Sequence, residues 1–388
     1  MTQHTLHQRF APRLQQRQAD DLYRRRPLAF SAQQPAMQLN GRQVVNFSSN
    51  DYLGLANHPE IKRTLAENLD ALSVGSGAAH LVTGHHLHHH LLEDEIADWL
   101  GVERALLFST GYMANLAVLE TLMQKGDLIL TDKLNHASLI DGALHSDAQL
   151  KRYPHNDMAA LAKRLNAAKS QVLIATDGVF SMDGDLAPLD KIQPLAQQTQ
   201  SWLFVDDAHG LGVLGEQGKG SFSHFGLTPD DDTILMGTLG KAFGVSGAFV
   251  AGSDTLIETL IQFARPYIYT TAMSPLMALA GRTALKLVKA ADDRREQLQR
   301  NIQQFKQGCQ QIGLNLLPSD TAIQPILLGE AATALQWSEQ LKQAGFWVTA
   351  IRPPTVPKNT ARLRVTLSAT HTAEQIEALL QALQSCQN

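Results

Sequence analysis

Between Arg104 and Thr238 the chain repeats one pattern, a short apolar run, a polar break and then a helical stretch. RALLF (104–108), DLILTD (127–132), QVLIATDGV (171–179), SWLFVDDAHG (201–210) and TILMGT (233–238) read as strands. Stretches near Met113–Met123, Met158–Ala168 and Leu189–Gln198, together with NHASLIDGAL (135–144), read as the helices between them. Short apolar strands alternating with helices predict an α/β fold, a mainly parallel sheet with helices on both faces. Ligands of such sheets collect at the carboxyl ends of the strands.

Polar residues stand where that rule places a site. Ser109, Thr110 and Gly111 follow one run and open a helix, so backbone N–H groups and the helix dipole suit a phosphate. His136 follows the next run, Ser181 to Gly184 another, and Asp206, Asp207 and His209 another. Lys241 follows the last, in TLGKAFG, where a lysine withdrawn from water becomes an amine nucleophile or Schiff-base former. Each feature alone has an ordinary explanation: a helix cap, a core histidine, an acidic strand end, a surface lysine. Their recurrence at successive strand ends points to a phosphate nest, a carboxylate, histidines and a lysine, the needs of a pyridoxal 5′-phosphate (PLP) site.

The glycines do not mark a nucleotide site. Lys241 is followed by Ala242 and Lys219 by Gly220, so neither is a P-loop lysine. The spacing Gly210, Gly212, Gly215 is that of a dinucleotide fingerprint, but EQGKGS follows where a helix is needed.

The 388 residues suffice for two domains. The expected division is an N-terminal helical arm over 1–45, a large domain over 46–282 and a smaller α+β domain over 283–388. A net charge of −4 gives no reason to expect nucleic acid or an anionic membrane, and an 18% charged content hints at surface buried against another subunit. Cys309 and Cys386 form no disulfide framework. The arginine-rich start is interrupted by Asp20 and Asp21, and no apolar run has the length of a signal core or membrane span. A cytoplasmic protein is expected.

A polar helix over His7–Tyr23 leads into RRRP (24–27), either a solvated helix end or an anion clamp. VVNFSSNDYLGL (44–55) is a strand running into a turn that includes Asn50. The run HHLHHHLLEDEIADWL (85–100) reads as one helix, with His85 and His89, or His86 and His90, four apart on one face. No H-E-x-x-H glutamate lies between them and no cysteine is near, so a metal centre is not expected. Beyond Thr283 come helices, strands over 322–329, 346–351 and 361–367, and a last helix with a Thr372/Gln375 capping box.

NFSSNDYLGL, STGYMAN, NHASLIDG, TDGVFSMDGD, VDDAHGLGVLGEQGKGS and TLGKAFG resemble, in order and spacing, the α-oxoamine synthases, PLP enzymes of fold type I. The likeness runs from about Arg24 to the C-terminus. It implies that Lys241 holds PLP covalently and moves the substrate Cα proton, that Asp206 pairs with the pyridinium nitrogen, that His209 bonds the phenolic oxygen and that His136 stacks on the ring. Gly111 and Tyr112 would form the loop against the cofactor, with Ser181 and Thr238 completing the contacts. Thr270 and Thr271 would reach the phosphate of a neighbouring subunit, making a homodimer the active unit. Arg352 would hold the amino-acid carboxylate beside Thr355, while Arg24 and Asn50 would contact substrate.

RRRP, LVTGHHLHHHLLE and WVTAIRPPTVP resemble the branch that joins L-alanine to a pimeloyl thioester, carried by CoA or an acyl-carrier protein, in biotin synthesis. Asp177 instead resembles the branch using glycine and acetyl-CoA. A non-catalytic subunit is the remaining alternative, disfavoured because Lys241, Asp206, His136 and His209 are all kept.

Overall fold

The computed structural model describes residues 4–20 and 22–387; Met1–Gln3, Asp21 and Asn388 lie outside the described set. Its centre is a seven-stranded sheet in the order Arg104–Phe108, Ala248–Gly252, Thr233–Thr238, Trp202–Asp206, Val172–Asp177, Leu128–Asp132, Gln149–Tyr153. Neighbouring strands run parallel from Thr233–Thr238 to Gln149–Tyr153. Ala248–Gly252 is antiparallel to both its neighbours. That strand was not anticipated, because GAFVAG follows the preceding strand with no helix between them.

Successive residues of each strand feed opposite cores, as a period of two requires. Leu107, Leu128, Leu130, Ile174, Val205 and Leu235 belong to one buried cluster, and Leu106, Phe108, Ile129, Leu173, Phe204 and Ile234 to another on the other face. Both faces are therefore dry, which is why these strands read as continuous apolar runs.

Two three-stranded sheets complete the architecture. Ile323–Gly329, Ala361–Thr366 and Thr349–Ile351 form one. Ala36–Leu39, Arg42–Asn46 and Phe346–Trp347 form the other, so residues near the N-terminus are bound to the C-terminal region. The expected 282/283 division falls inside the unbroken helix Pro275–Lys289. The first helix covers Leu6–Ala19, shorter than His7–Tyr23 at its C-terminal end. No helix among the described residues is long and apolar enough to cross a membrane.

The histidine-rich stretch corrects the sequence reading. His80–Gly84 forms a π-type turn and the helix begins only at Leu87, so His85 and His86 lie outside it and neither i,i+4 pair shares a helical face. The reason is a cap of unusual chemistry. The His86 imidazole takes the place of the usual serine or aspartate, and His89 Nδ1 accepts the His86 N–H at 2.9 Å in return.

Candidate active site

The parallel strands bring their carboxyl ends to one edge, and the helix after the first begins there. Thr110 caps the helix Gly111–Leu122 by accepting the N–H of Met113. The helix starts two residues earlier than expected, and with Met113 and Ala114 bonded to Thr110, the Gly111 and Tyr112 N–H groups are the ones left for an anion. Ser109 and Met113 share a small cleft with Thr270, Thr271, His80 and Tyr267 of the same chain.

Lys241 sits at the turn after Thr233–Thr238. Thr238 shapes this turn, its hydroxyl accepting from Gly240 N–H and donating to the Gly247 carbonyl, both at 3.1 Å. Gly244 has φ +69, and a Cβ there would lie 2.3 Å from the Ala56 backbone nitrogen. A glycine is therefore required for the lysine turn to rest against Leu55–Ala56.

The half-buried Lys241 places Nζ 2.8 Å from His209 Nε2, and His209 Nδ1 lies 2.5 Å from the Tyr52 hydroxyl. Tyr52 is 1% exposed, and burial pushes its pKa up to about 12, against the opposing pull of Arg364, so the phenol stays protonated. Removal from water lowers the Lys241 pKa to about 8, while the Asp206 and Asp177 carboxylates resist that fall. His209, buried and facing two cations, is pushed well below the usual imidazole range.

Asp206 is buried at the end of its strand. Its carboxylate accepts the Ala208 N–H at 3.1 Å and the Asn115 side-chain amide at 2.7 Å. The same Asn115 nitrogen meets Ser138 Oγ at 2.7 Å, and Ser138 Oγ lies 2.7 Å from His136 Nδ1. Asp206 and His136 are thus positioned by one polar chain, and His136 is exposed. Asp177 is the cross-strand partner of Asp206 and accepts the His136 N–H at 2.9 Å. Burial, then the adjacent Asp206, raise the Asp177 pKa well above the carboxylate range.

The remaining expected residues divide into two groups. Asn50 joins the cluster, its carbonyl oxygen accepting from Arg364 at 3.2 Å and the Tyr52 hydroxyl at 3.3 Å. Ser181 joins through its backbone carbonyl, which accepts from Arg364 Nε at 2.6 Å. Tyr112 is exposed and its hydroxyl donates to Asp141. Arg352 is half-buried and Thr355 exposed, tied by the Thr355 N–H to the Arg352 carbonyl at 3.1 Å. The Arg352 guanidinium has no hydrogen bond or ion pair among the described residues. Arg24 is exposed after the first helix, and among the described residues no bond connects it to the cluster.

Tyr52, Asn115 and Arg364 were missed by sequence reasoning. Arg364 carried a legible signal: Arg362 and Arg364 alternate on one face of ARLRVT, and both are buried. Two buried arginines on one strand face require acceptors, here Asp183 for Arg362 and Ser181 and Asn50 for Arg364. Tyr52 and Asn115 lie inside two of the quoted motifs, NFSSNDYLGL and STGYMAN, but no spacing or charge there pointed to a role for either.

A broad surface cavity of about 810 Å³, lined by residues such as Gln299, Lys306 and Leu316, contains none of these groups. The site is defined by its chemistry instead. An amine with a lowered pKa, a buried anchored carboxylate and a free helix N-terminus at one sheet edge fit the aldehyde, ring nitrogen and phosphate of PLP.

Comparison with known proteins agrees. The model of the aminotransferase class I and II family matches residues 42–383. The 8-amino-7-oxononanoate synthase of Hydrogenovibrio crunogenus is 72% identical over 383 residues, covering 98% of this chain and 96% of the relative. A solved serine palmitoyltransferase from S. paucimobilis with bound PLP–myriocin superposes with a TM-score of 0.92 at 27% identity, covering 99% and 98% of the two chains. An 8-amino-7-oxononanoate synthase structure from Francisella tularensis gives a TM-score of 0.78 at 34% identity over 88% and 97%. The chain belongs to the class I and II aminotransferase family, with the fold of its PLP-dependent members.

Proposed function

We propose that this chain catalyses the reaction of the 8-amino-7-oxononanoate synthases, the decarboxylative condensation of L-alanine with a pimeloyl thioester. The products are 8-amino-7-oxononanoate, CO2 and the free thiol. The observation that carries the reading is the cluster at the sheet edge, in which Lys241, His209 and Tyr52 form one chain of contacts beside the anchored Asp206. The 72% identity to a synthase of that name supports the choice of substrates.

When bound, PLP supplies an electron sink for the carbanion formed at the amino-acid Cα. Lys241 would hold the cofactor and then move the Cα proton, since an amine with a pKa of about 8 is partly neutral at physiological pH. Asp206 would keep the ring nitrogen protonated, with Asn115 and the Ala208 N–H fixing its orientation. His209 would hold the lysine amine and the phenolic oxygen in place, itself fixed by Tyr52. The ring face of His136 would cover the cofactor, while Gly111, Tyr112, Ser181 and Thr238 complete the cradle. Arg352 and Thr355 would take the alanine carboxylate, Asn50 would lie beside the reacting centre, and Arg24 would meet the distal pimeloyl carboxylate through a paired hydrogen bond.

Thr270 and Thr271 would contact the phosphate bound by a second copy of the chain, so the working unit is a homodimer. The substrate would lie between the large domain that carries Lys241 and the small domain that carries Arg352, where closure excludes water.

Carboxyl-labelled L-alanine tests the bond changes directly. Label released as CO2 in step with thiol, and absent from the product, is the expected result. Label retained in a condensed product would remove decarboxylation from the proposal.

A further inference from the structure

Of the histidines between residues 80 and 90, His80 also lines the cleft at Ser109, and the other five take no part in the site at Lys241. The turn His80–Gly84 and the helix Leu87–Leu100 fold them against one another. His89 serves the backbone on both sides. Its Nδ1 accepts the His86 N–H, and its Nε2 lies 2.8 Å from the Met273 carbonyl, to which it can only donate. His89 therefore has no lone pair left for a metal.

His85 is arranged differently. Its Nδ1 lies 2.9 Å from Nδ1 of His80, whose ring is stacked on Tyr267 at a centroid distance of 5.1 Å. With the proton of that contact on His85, Nε2 is left bare and faces Glu93 Oε2 at 3.9 Å. Glu93 is 8% exposed; its Oε1 accepts the Leu107 N–H at 2.9 Å, and Oε2 has no hydrogen bond among the described residues. His90 brings a third donor, and one ligand atom from each of His85, His90 and Glu93 lies within 4.8 Å of the other two. The exposed Asp94 also approaches His90 Nε2, at 3.6 Å.

We propose that His85, His90 and Glu93 bind a divalent metal ion of the zinc type, with His80 as the hydrogen-bonded partner that orients His85. Two imidazoles and a carboxylate match the donor preference of zinc, and tetrahedral bonds of about 2.0–2.1 Å set ligand atoms roughly 3.4 Å apart. Side-chain rotation by an ångström or so closes the observed spacing to that value. The His80–His85 contact is the kind of outer partner that fixes tautomer and direction in metal-binding histidines. The fourth position is left to water or Asp94. The site joins the turn at residues 80–84, which is bridged to Thr271 through Ala79, to the strand Arg104–Phe108 through Glu93 and Leu107. Its role is therefore structural, and it does not depend on the reading of the Lys241 site.

The test is calorimetric titration of tag-free, chelator-stripped holoenzyme with Zn²⁺, with melting temperatures recorded for each metal-free variant. One saturable ion per chain with micromolar affinity is expected. His90→Gln, at a side chain 62% exposed and harmless to folding, should weaken binding at least about tenfold, and His80→Gln about 10–100-fold. His145→Gln, at an exposed histidine beside Glu120, should leave binding unchanged. Absence of saturable binding, or unchanged binding in a folded His85→Gln/His90→Gln double variant, would overturn the proposal.

Discussion

The lowered pKa of Lys241 has a consequence that can be read without substrate. A fall from 10.5 to about 8 corresponds to about 3 kcal/mol of preference for the neutral amine. At pH 7.5 roughly a quarter of the chains would carry neutral Lys241, against roughly one in a thousand for an ordinary lysine. Only the neutral amine attacks an aldehyde, so the rate at which PLP-free protein captures PLP covalently should rise with pH and level off above about pH 8. The assay is borohydride trapping after timed exposure to PLP, with peptide mapping to Lys241. Two substitutions should move the midpoint in opposite directions. Asp206 favours the charged amine, so Asp206→Asn should lower it; Arg364 disfavours the charged amine, so Arg364→Gln should raise it. A capture rate still climbing at pH 10, or both variants moving the midpoint the same way, would refute the reasoning.

Three further expectations follow from particular contacts. Tyr52→Phe leaves His209 Nδ1 buried without its 2.5 Å partner, which should cost about 1–3 kcal/mol in urea unfolding and slow turnover; wild-type stability and rate would show that Tyr52 is only packing. Gly220 has φ +89 and a Cβ there would lie 2.0 Å from an Asp207 carboxylate oxygen, whereas Gly226 has φ +66 and open space. Gly220→Ala should therefore cost on the order of 3 kcal/mol and Gly226→Ala roughly 1 kcal/mol, and equal losses would remove the role given to Asp207. His155 is raised to about 10, where its hydrogen bonds to Asp132 and Asp185 outweigh its burial. Because the folded pKa lies above the unfolded one, this contribution is full below about pH 6.5 and is lost as pH rises through about 10. His155→Gln should cost on the order of 1–2 kcal/mol at pH 6, allowing for solvent screening, and little at pH 10.5; a loss independent of pH would assign His155 to packing alone.

The parallel core was legible because its strands are buried on both faces, and a residue such as Leu130 has the same reason to be apolar as Ile129 beside it. The strand-end groups were legible for the complementary reason: Asp206, His209 and Lys241 interrupt apolar runs where no core demands a polar side chain. What escaped was set by contacts distant in sequence. Tyr52 meets His209 across 157 positions, and Arg364 meets Ser181 across 183. The helix start at Leu87 escaped because histidines replace the usual capping residues, and the same exchange concealed Glu93 as the partner of His85. Arg24 was also legible as part of an anion clamp, but only the resemblance makes Arg24 and Arg352 substrate contacts, since a substrate carboxylate is the contact that would give either a role.

The most direct measurement is thiol release by PLP-loaded protein given L-alanine with pimeloyl-CoA and, separately, glycine with acetyl-CoA. The account predicts release with the first pair and little with the second. Release mainly with the second pair would contradict it, and would make the buried Asp177 beneath His136, rather than Arg24 and Arg352, the residue that marks the substrate.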